Sequence, residues 1–210
     1  MSTICPTVLA REPHEYREQI ERIKPFAERI QVDLMDGIFT ETKSINPIQA
    51  WWPEGMLADI HMMFEDPVAH IETLVSLQPN LIIIHAEAAG DLLGMVEHLK
   101  KCGMKVGVAL LKDTSPEVAH ALIPLVDHVL LFSGELGRFG GEADMHVLSK
   151  VAEIKRMNDS VEIGWDGGAN AANARQLQAG GVDVINVGGA IQKSDDPETA
   201  YKSLVDSLRQ

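Results

Sequence analysis

Short apolar runs alternate with amphipathic stretches along this chain, and the alternation repeats eight times. Most runs are apolar throughout, which is typical of parallel strands that are covered on both faces. The stretches between them carry apolar residues at helical spacing. The predicted strands are Ile4–Leu9, Ile30–Asp33, Leu57–His61, Leu81–His85, Lys105–Leu110, His128–Phe132, Val161–Trp165 and Val184–Val187. The predicted helices are Glu15–Ile23, Val68–Ser76, Leu92–Cys102, Val118–Leu122, Ala143–Met157, Ala171–Ala179 and Glu198–Leu208, with only a short helix in residues 46–52.

Turn and capping residues agree with these boundaries. A capping side chain precedes Pro at Asn46-Pro47, Asp66-Pro67, Ser115-Pro116 and Asp196-Pro197, the order that begins a helix. The chain has no Ser-, Pro- or Gly-rich linker, so residues 1–210 are predicted to form a single domain. Eight β-α rounds in one domain predict an α/β fold of the (β/α)8 TIM barrel type. A doubly wound open sheet is the alternative, although it normally has fewer strands at this length.

The composition and charge of the chain limit the kinds of molecule that it is expected to bind. The formal net charge of -13, without a basic stripe, disfavours nucleic acid and anionic membranes. No apolar run reaches membrane-spanning length, and the first residues become charged too early for a signal peptide. The two cysteines, Cys5 and Cys102, have neither metal-site nor disulfide spacing, and both are expected to be buried thiols. We therefore expect a cytoplasmic protein.

Candidate chemistry lies at strand ends. Asp33 and Asp166 each close an apolar run and His61 ends a third. Since the carboxyl ends of barrel strands meet on one face, this arrangement suggests metal-assisted proton transfer. Beside them, Met35 and Met63 could form an apolar floor that excludes water and raises carboxylate pKa values. A solvated carboxylate or a helix cap is the alternative for either Asp alone.

Glycine pairs follow the last three strands. Phe139-Gly140-Gly141 comes after the sixth strand, Gly167-Gly168 after the seventh and Gly188-Gly189 after the eighth. Glycine lets backbone N–H groups approach phosphate oxygens, and loops at this place in a barrel commonly hold phosphate. The alternative is that these glycines only form turns and helix ends. Arg138 is either a further contact or a solvated surface residue. His85 ends the fourth strand, where a structural role is favoured over orienting a substrate.

The order of these motifs resembles the ribulose-phosphate 3-epimerase family over nearly the whole chain. The resemblance is carried by residues 4–10, 32–39 and 59–63, and by Phe139-Gly140-Gly141, Asp166-Gly167-Gly168 and Gly188-Gly189-Ala190. Residues 32–39, which match the family's V-D-V-M-D-G-x-F, are the most specific part. The chain departs from the family at Gln31 for His, Thr7 for Ser, Glu41-Thr42 for Pro-Asn, Gly137-Arg138 for Pro-Gly, Glu142 for Gln and Gly189 for a hydroxyl residue.

The resemblance implies an isomerase that inverts C3 of a ketopentose phosphate, with a divalent metal held by two His and two Asp. Carried over by position, the ligands are Asp33, His61, Asp166 and Gln31. An amide oxygen is a poorer Zn²⁺ ligand than imidazole, so either Zn²⁺ or a harder Mn²⁺, Fe²⁺ or Mg²⁺ ion is expected. The predicted substrate- and phosphate-binding residues are Thr7, Met35, Met63, Gly140, Gly141, Gly167, Gly168, Gly188 and Gly189.

The leading hypothesis is a metal-assisted epimerase of a phosphorylated ketose, with D-ribulose 5-phosphate and D-xylulose 5-phosphate as the expected pair. Asp33 and Asp166 would transfer protons on opposite faces. No organic cofactor is required, and a homo-oligomer is expected. One alternative is a sugar-phosphate-binding homologue that has lost efficient epimerisation through Gln31. Another is a phosphosugar aldolase or decarboxylase, although no predicted strand ends in Lys and Lys112 lies just beyond the fifth strand.

Overall fold

Eight parallel strands close into a barrel in sequence order in the computed structural model, which describes residues 2–138 and 140–209. The strands are β1 Thr3–Val8, β2 Arg29–Met35, β3 Leu57–Met63, β4 Leu81–His85, β5 Val106–Leu111, β6 His128–Phe132, β7 Glu162–Asp166 and β8 Val184–Val187. The α-helices are α1 Pro13–Ile23, α2 Ile71–Leu77, α3 Leu92–Lys101, α4 Val151–Met157, α5 Ala174–Ala179, α6 Gly189–Gln192 and α7 Pro197–Ser207. The 3₁₀ helices are Pro47–Gln49, Val68–His70, Pro116–Ala119 and Met145–Lys150. This architecture confirms the predicted TIM barrel.

Side-chain alternation along each strand separates two environments. Outward residues such as Val32, Ile60 and Ile82 join the large apolar cluster that the surrounding helices cover. The residues between them point into the barrel, where only a small apolar cluster of Leu81, Ile83, Ala109 and Leu130 is found among the described residues. The rest of the barrel axis is therefore available for polar groups.

Three of the four predicted Pro-containing helix starts are capped as expected: the side chains of Asn46, Ser115 and Asp196 each accept a hydrogen bond from a backbone N–H two or three residues later. Asp66 accepts from the Val68 N–H, but Pro67 itself is the N-cap of the helix Val68–His70, so the fourth start lies one residue later than predicted. Among residues 2–138 and 140–209, no helix combines the length and apolar character that crossing a membrane requires.

Several predicted helices are shorter than the apolar spacing suggests. The predicted helix Val118–Leu122 is instead a 3₁₀ helix over Pro116–Ala119, because Pro124 follows within one turn and prevents a longer helix. The predicted helix Ala143–Met157 divides into a 3₁₀ helix and α4. The four-residue α6 was not predicted. Cys5 is buried as expected, but Cys102 is exposed, because it caps the surface helix α3 at its solvent-facing end.

A charged network fills the amino-terminal end of the barrel. Arg29 Nε donates to Asp59 Oδ2 at 2.7 Å, and its two terminal nitrogens donate to the Glu162 carboxylate at 2.9 and 2.8 Å. His128 Nδ1 lies 2.8 Å from Glu162 Oε2, and Asn80 donates to Asp59 at 2.6 Å. Burial opposes ionisation of Glu162, but hydrogen bonds from His128 and Arg29 hold its pKa well below the usual range. His128 thus lies opposite the predicted site, as its position in β6 indicates.

Replacing Arg29 with Met should lower the free energy of unfolding by about 3–5 kcal/mol, because Asp59 would stay buried without its cation. Urea unfolding measures the change. Lys101→Met, which breaks an exposed pair with Glu97, is the matched control and should have a much smaller effect. The Glu162 contribution is present above its unfolded pKa of about 4.3 and is lost as the pH falls through the depressed folded pKa. Equal losses in both variants would contradict the assignment.

Candidate active site

Four side-chain atoms converge inside the barrel near the carboxyl ends of β2, β3 and β7. Gln31 Nε2 donates to Asp33 Oδ1 at 2.9 Å and to Asp166 Oδ2 at 2.6 Å. His61 Nδ1 lies 3.0 Å from Asp33 Oδ1 and 3.6 Å from Asp166 Oδ2. Gln31 and Asp33 point inward together because they are two residues apart on β2, and His61 is paired in register with Asp33. The structure therefore brings the four residues together.

These residues fit a divalent ion. One ligand atom each from Asp33, His61 and Asp166 lies within 4.8 Å of the other two, and all three residues are buried. Ligand atoms at about 2.0–2.2 Å from a tetrahedral Zn²⁺ are about 3.3–3.6 Å apart, close to the spacing observed. The fourth corner is the Gln31 amide, whose Oε1 is buried without a hydrogen-bond partner. Since oxygen is the amide's metal-binding atom, the donor set is compatible with a metal once the amide turns so that Oε1 replaces Nε2 between the carboxylates.

The electrostatics of this group favour a cation between the carboxylates. Burial raises the pKa of Asp33 to about 6, and the nearby Asp166 charge acts in the same direction. Burial opposes a charged imidazole, but the Asp166 carboxylate 3.6 Å away and the hydrogen bond to Asp33 outweigh it and raise the pKa of His61 to about 9. The pair of carboxylates thus stabilises positive charge at His61 Nδ1.

A second layer of polar groups continues behind His61. His61 Nε2 lies 2.9 Å from His85 Nε2, and His85 Nδ1 lies 3.2 Å from Glu87 Oε2. Burial lowers the pKa of His85 to about 4. Burial opposes ionisation of Glu87, but hydrogen bonds from His85, Thr114 and the Leu111 N–H lower its pKa. His85 is therefore a neutral, hydrogen-bonded residue behind the candidate metal site.

A cavity of about 230 Å³ opens above these residues at the carboxyl end of the barrel. Asp33 and Asp166 line it, and Gln31 and His61 lie below, with no measurable exposure. Of the predicted substrate- and phosphate-binding residues, those that line it are Thr7, Met63, Gly140, Gly141, Gly167, Gly168, Gly188 and Gly189. Met35 does not line the cavity; it is buried below Gly137. The three glycine pairs therefore share one cavity with the carboxylates.

The loops after β6 and β7 contact each other so closely that side chains are excluded. A Cβ on Gly168 would lie 2.2 Å from the backbone nitrogen of Ala143, and one on Gly167 would lie 2.0 Å from that of Gly134. Both glycines also have positive φ values, 104° at Gly167 and 70° at Gly168. These contacts fix the two glycine loops relative to each other and to Asp166.

The cavity also includes residues that the sequence analysis did not single out. Asn186 is 3% exposed on the apolar strand β8, and its Oδ1 has no partner among the described residues. The sequence feature that could have identified Asn186 is an amide side chain within an otherwise apolar run. Lys193, which follows α6, also lines the cavity, and without the structure nothing distinguishes it from a surface lysine.

Three other positions that the sequence analysis considered have different outcomes. Arg138 lines the cavity but is 70% exposed, and its guanidinium lies 3.8 Å from Glu135. Phe139, part of the predicted glycine motif, lies outside the described residues. Lys112, considered for a Schiff base, is exposed and is not among the residues that line the cavity.

Comparisons with known proteins agree with the sequence motifs. The profile of the ribulose-phosphate 3 epimerase family matches residues 3–192. Ribulose-phosphate 3-epimerase of Bacillus subtilis (strain 168) is 30% identical over 214 residues, covering 97% of this chain and 98% of that protein. Ribulose-phosphate 3-epimerase of Helicobacter pylori (strain ATCC 700392 / 26695) is 31% identical over 209 residues, with 96% and 95% covered.

Solved structures extend the likeness to the fold. A 3-hexulose-6-phosphate synthase has a TM-score of 0.73 at 16% identity, covering 99% of this chain and 100% of that one. A structure of KGPDC from Streptococcus mutans has a TM-score of 0.74 at 10% identity, covering 99% and 97%. At these identities the likeness shows a shared fold alone, whereas the profile match and the two relatives decide the family. The chain belongs to the ribulose-phosphate 3-epimerase family of isomerases.

Proposed function

We propose that this protein epimerises C3 of a phosphorylated ketopentose, interconverting D-ribulose 5-phosphate and D-xylulose 5-phosphate. The observation that carries the proposal is the convergence of Asp33, His61 and Asp166 below a cavity lined by three glycine pairs. Family membership supports the reaction type, since the matching relatives are ribulose-phosphate 3-epimerases.

The two carboxylates supply the proton transfers. The C2 carbonyl acidifies the C3 hydrogen, so one aspartate can remove it from one face of the substrate. The other aspartate returns a proton to the opposite face, which inverts the centre. Asp33 and Asp166 are suited to this because they come from β2 and β7 and both reach the cavity. Thr7, Met63 and Phe132 enclose the same cavity and would limit water at the reacting carbon.

Asp33, His61, Asp166 and the Gln31 amide oxygen would hold a divalent metal. When bound, the ion would supply electrostatic stabilisation for the negative charge that develops on the substrate oxygens during proton removal. In the observed orientation the Gln31 amide nitrogen holds both carboxylates by hydrogen bonds, so the amide would have to turn for Oε1 to reach the ion. A neutral oxygen in place of an imidazole weakens the site for Zn²⁺ and favours a harder ion such as Mn²⁺, Fe²⁺ or Mg²⁺.

The glycine pairs are proposed to bind the substrate phosphate through backbone N–H groups of Gly168, Gly188 and Gly189. In a chain with a net charge of -13, these uncharged donors offer an anion a local binding site. Gly140 and Gly141 line the same cavity and would close over the phosphate.

Two broader proposals accompany the reaction. Residues 1–210 are proposed to work as one barrel domain, and the protein is proposed to form a homo-oligomer. Ile38 and Ile48 support the second proposal, since they are 75% and 77% exposed on the connection between β2 and β3.

Changing Gln31 to His should tighten Zn²⁺ binding by about tenfold or more and preserve or raise epimerase turnover, because imidazole is the better ligand. Zn²⁺ affinity from chelator competition and turnover with D-ribulose 5-phosphate are measured for wild type and variant. Gln31→Leu, which offers no ligand atom, is the matched control and should not tighten binding.

The comparison of wild type with Gln31→His also separates the epimerase from the alternative of a binding homologue. That alternative is favoured by the Gln31 amide nitrogen, which lies between the carboxylates. If wild type and Gln31→His are both inactive with Zn²⁺, Mn²⁺, Fe²⁺ and Mg²⁺ on a panel of ketose phosphates, but still bind those sugars, the epimerase proposal is wrong.

A further inference from the structure

A continuous chain of polar contacts leads from the candidate metal site to the backbone of β5. His61 faces Asp33 and Asp166 with Nδ1, and its Nε2 lies 2.9 Å from His85 Nε2. His85 Nδ1 lies 3.2 Å from Glu87 Oε2. The other carboxylate oxygen, Glu87 Oε1, accepts a hydrogen bond from the Leu111 N–H at 2.9 Å. This series of contacts thus ends at the Leu111 N–H, a backbone group that can only donate a hydrogen bond.

The middle of this chain is closed to solvent. His61 and His85 have no measurable exposure, and their ring centroids lie 5.0 Å apart, as expected for two imidazoles that meet edge to edge through Nε2. Phe39 packs against His85 and Phe132 packs against both imidazoles, with centroid distances between 4.8 and 6.0 Å. Water therefore has little room to enter and bridge two donors or two acceptors that face each other. Each contact must join one donor to one acceptor.

Glu87 determines the direction of every donor in the chain. An ionised carboxylate only accepts, so His85 Nδ1 must carry a proton. The contact between the two Nε2 atoms needs one donor and one acceptor, and a single His85 proton that is already on Nδ1 leaves His85 Nε2 to accept from a protonated His61 Nε2. His61 Nδ1, on the far side of the ring, is then the nitrogen that remains to face Asp33 and Asp166. Each step follows from the contact before it.

We propose that Glu87 is a positioning residue which, through His85, fixes the tautomer of His61 so that the Nδ1 lone pair points at the metal site. Its effect on Zn²⁺ affinity rests on the proposed function, whereas the tautomer of His85 does not. Neither Glu87 nor His85 lines the cavity, so neither is placed to touch substrate.

Glu87→Gln tests the proposal because glutamine has only one acceptor oxygen. The Leu111 N–H requires that oxygen, so the amide NH₂ must face His85 Nδ1. His85 would then be protonated on Nε2, and His61 would have to accept at Nε2 and hold its proton on Nδ1. We expect Zn²⁺ affinity, measured by chelator competition, to fall by about 10–100-fold. Glu117→Gln, an exposed change beyond β5, should leave it unaltered. Unchanged affinity in Glu87→Gln would overturn the proposal.

Imidazole ¹⁵N–¹H correlation spectra of the wild type give an independent test that needs no variant. His85 should be protonated on Nδ1 alone in both metal-free and Zn²⁺-loaded protein, and His61 should be protonated on Nε2 in the loaded form. A purely structural role for Glu87 does not require these tautomers. A His85 proton on Nε2 would contradict the proposed role of Glu87. If the epimerase assignment fails, the His85 tautomer still decides the positioning role of Glu87, so the two failures are distinguishable.

Discussion

Asp33→Asn and Asp166→Asn should each lower the rate of C3 epimerisation by about 10³-fold or more, while both proteins remain folded. An amide cannot remove or return a proton, and each change also removes a charged metal ligand. The fold should tolerate the changes because the two carboxylates lie close together in a buried site, so removing one negative charge relieves repulsion. Epimerisation of D-ribulose 5-phosphate and thermal unfolding are the measurements.

The loss of a proton carrier can be separated from the loss of metal. Metal content and solvent exchange of the C3 hydrogen are measured for each variant, starting separately from D-ribulose 5-phosphate and D-xylulose 5-phosphate. If the two aspartates serve opposite faces, any residual exchange should favour one epimer in Asp33→Asn and the other in Asp166→Asn. Asp206→Asn, an exposed change in α7, is the control and should retain full activity. Wild-type epimerisation by either site variant would remove that aspartate from the mechanism.

The carboxylate pair could be anticipated from sequence because strand geometry is local. A residue that ends an apolar run must lie at one end of the barrel, and residues two apart on a strand share a face. These rules place Asp33, His61 and Asp166 at one end and His128 at the other, as observed. The same rules place Gln31 beside Asp33, but they do not specify that its amide touches both carboxylates.

Loop contacts and short helices depend on information that is not local. The apolar spacing around Val118 suggests a helix, but nearby prolines and the packing of the barrel limit it to one 3₁₀ turn. Lys193 lies at the cavity only because the short helix α6 directly follows β8 at the carboxyl end of the barrel. Likewise, Glu87 gains a role only when β4 and β5 are adjacent and the Leu111 N–H faces its carboxylate. In each case the deciding partner is distant in sequence or set by three-dimensional packing.

Gly168→Ala should raise the KM for the phosphorylated substrate by about 10²-fold, with a smaller effect on kcat. The new Cβ would lie 2.2 Å from the Ala143 backbone nitrogen and 2.5 Å from the Glu142 carbonyl carbon, so the loops after β6 and β7 must separate. That movement displaces the Gly168 N–H from the proposed phosphate site and opens the cavity on the side lined by Gly140 and Gly141. Loss of well-placed donors to an anion weakens binding by several kcal/mol in total, which is consistent with about 10²-fold.

Backbone strain alone would not raise the KM, and Gly103→Ala is the control that tests this. Gly103 has a φ of 80°, close to the 70° of Gly168, but its added Cβ would meet no atom within 4 Å. Both variants should therefore lose similar stability from the left-handed backbone, about 1 kcal/mol, whereas only Gly168→Ala should alter the KM. Inorganic phosphate, tested as a competitive inhibitor, should inhibit wild type and Gly103→Ala alike and inhibit Gly168→Ala much more weakly. If Gly168→Ala kept the wild-type KM and the wild-type inhibition by phosphate, the phosphate would have to bind away from the loop after β7.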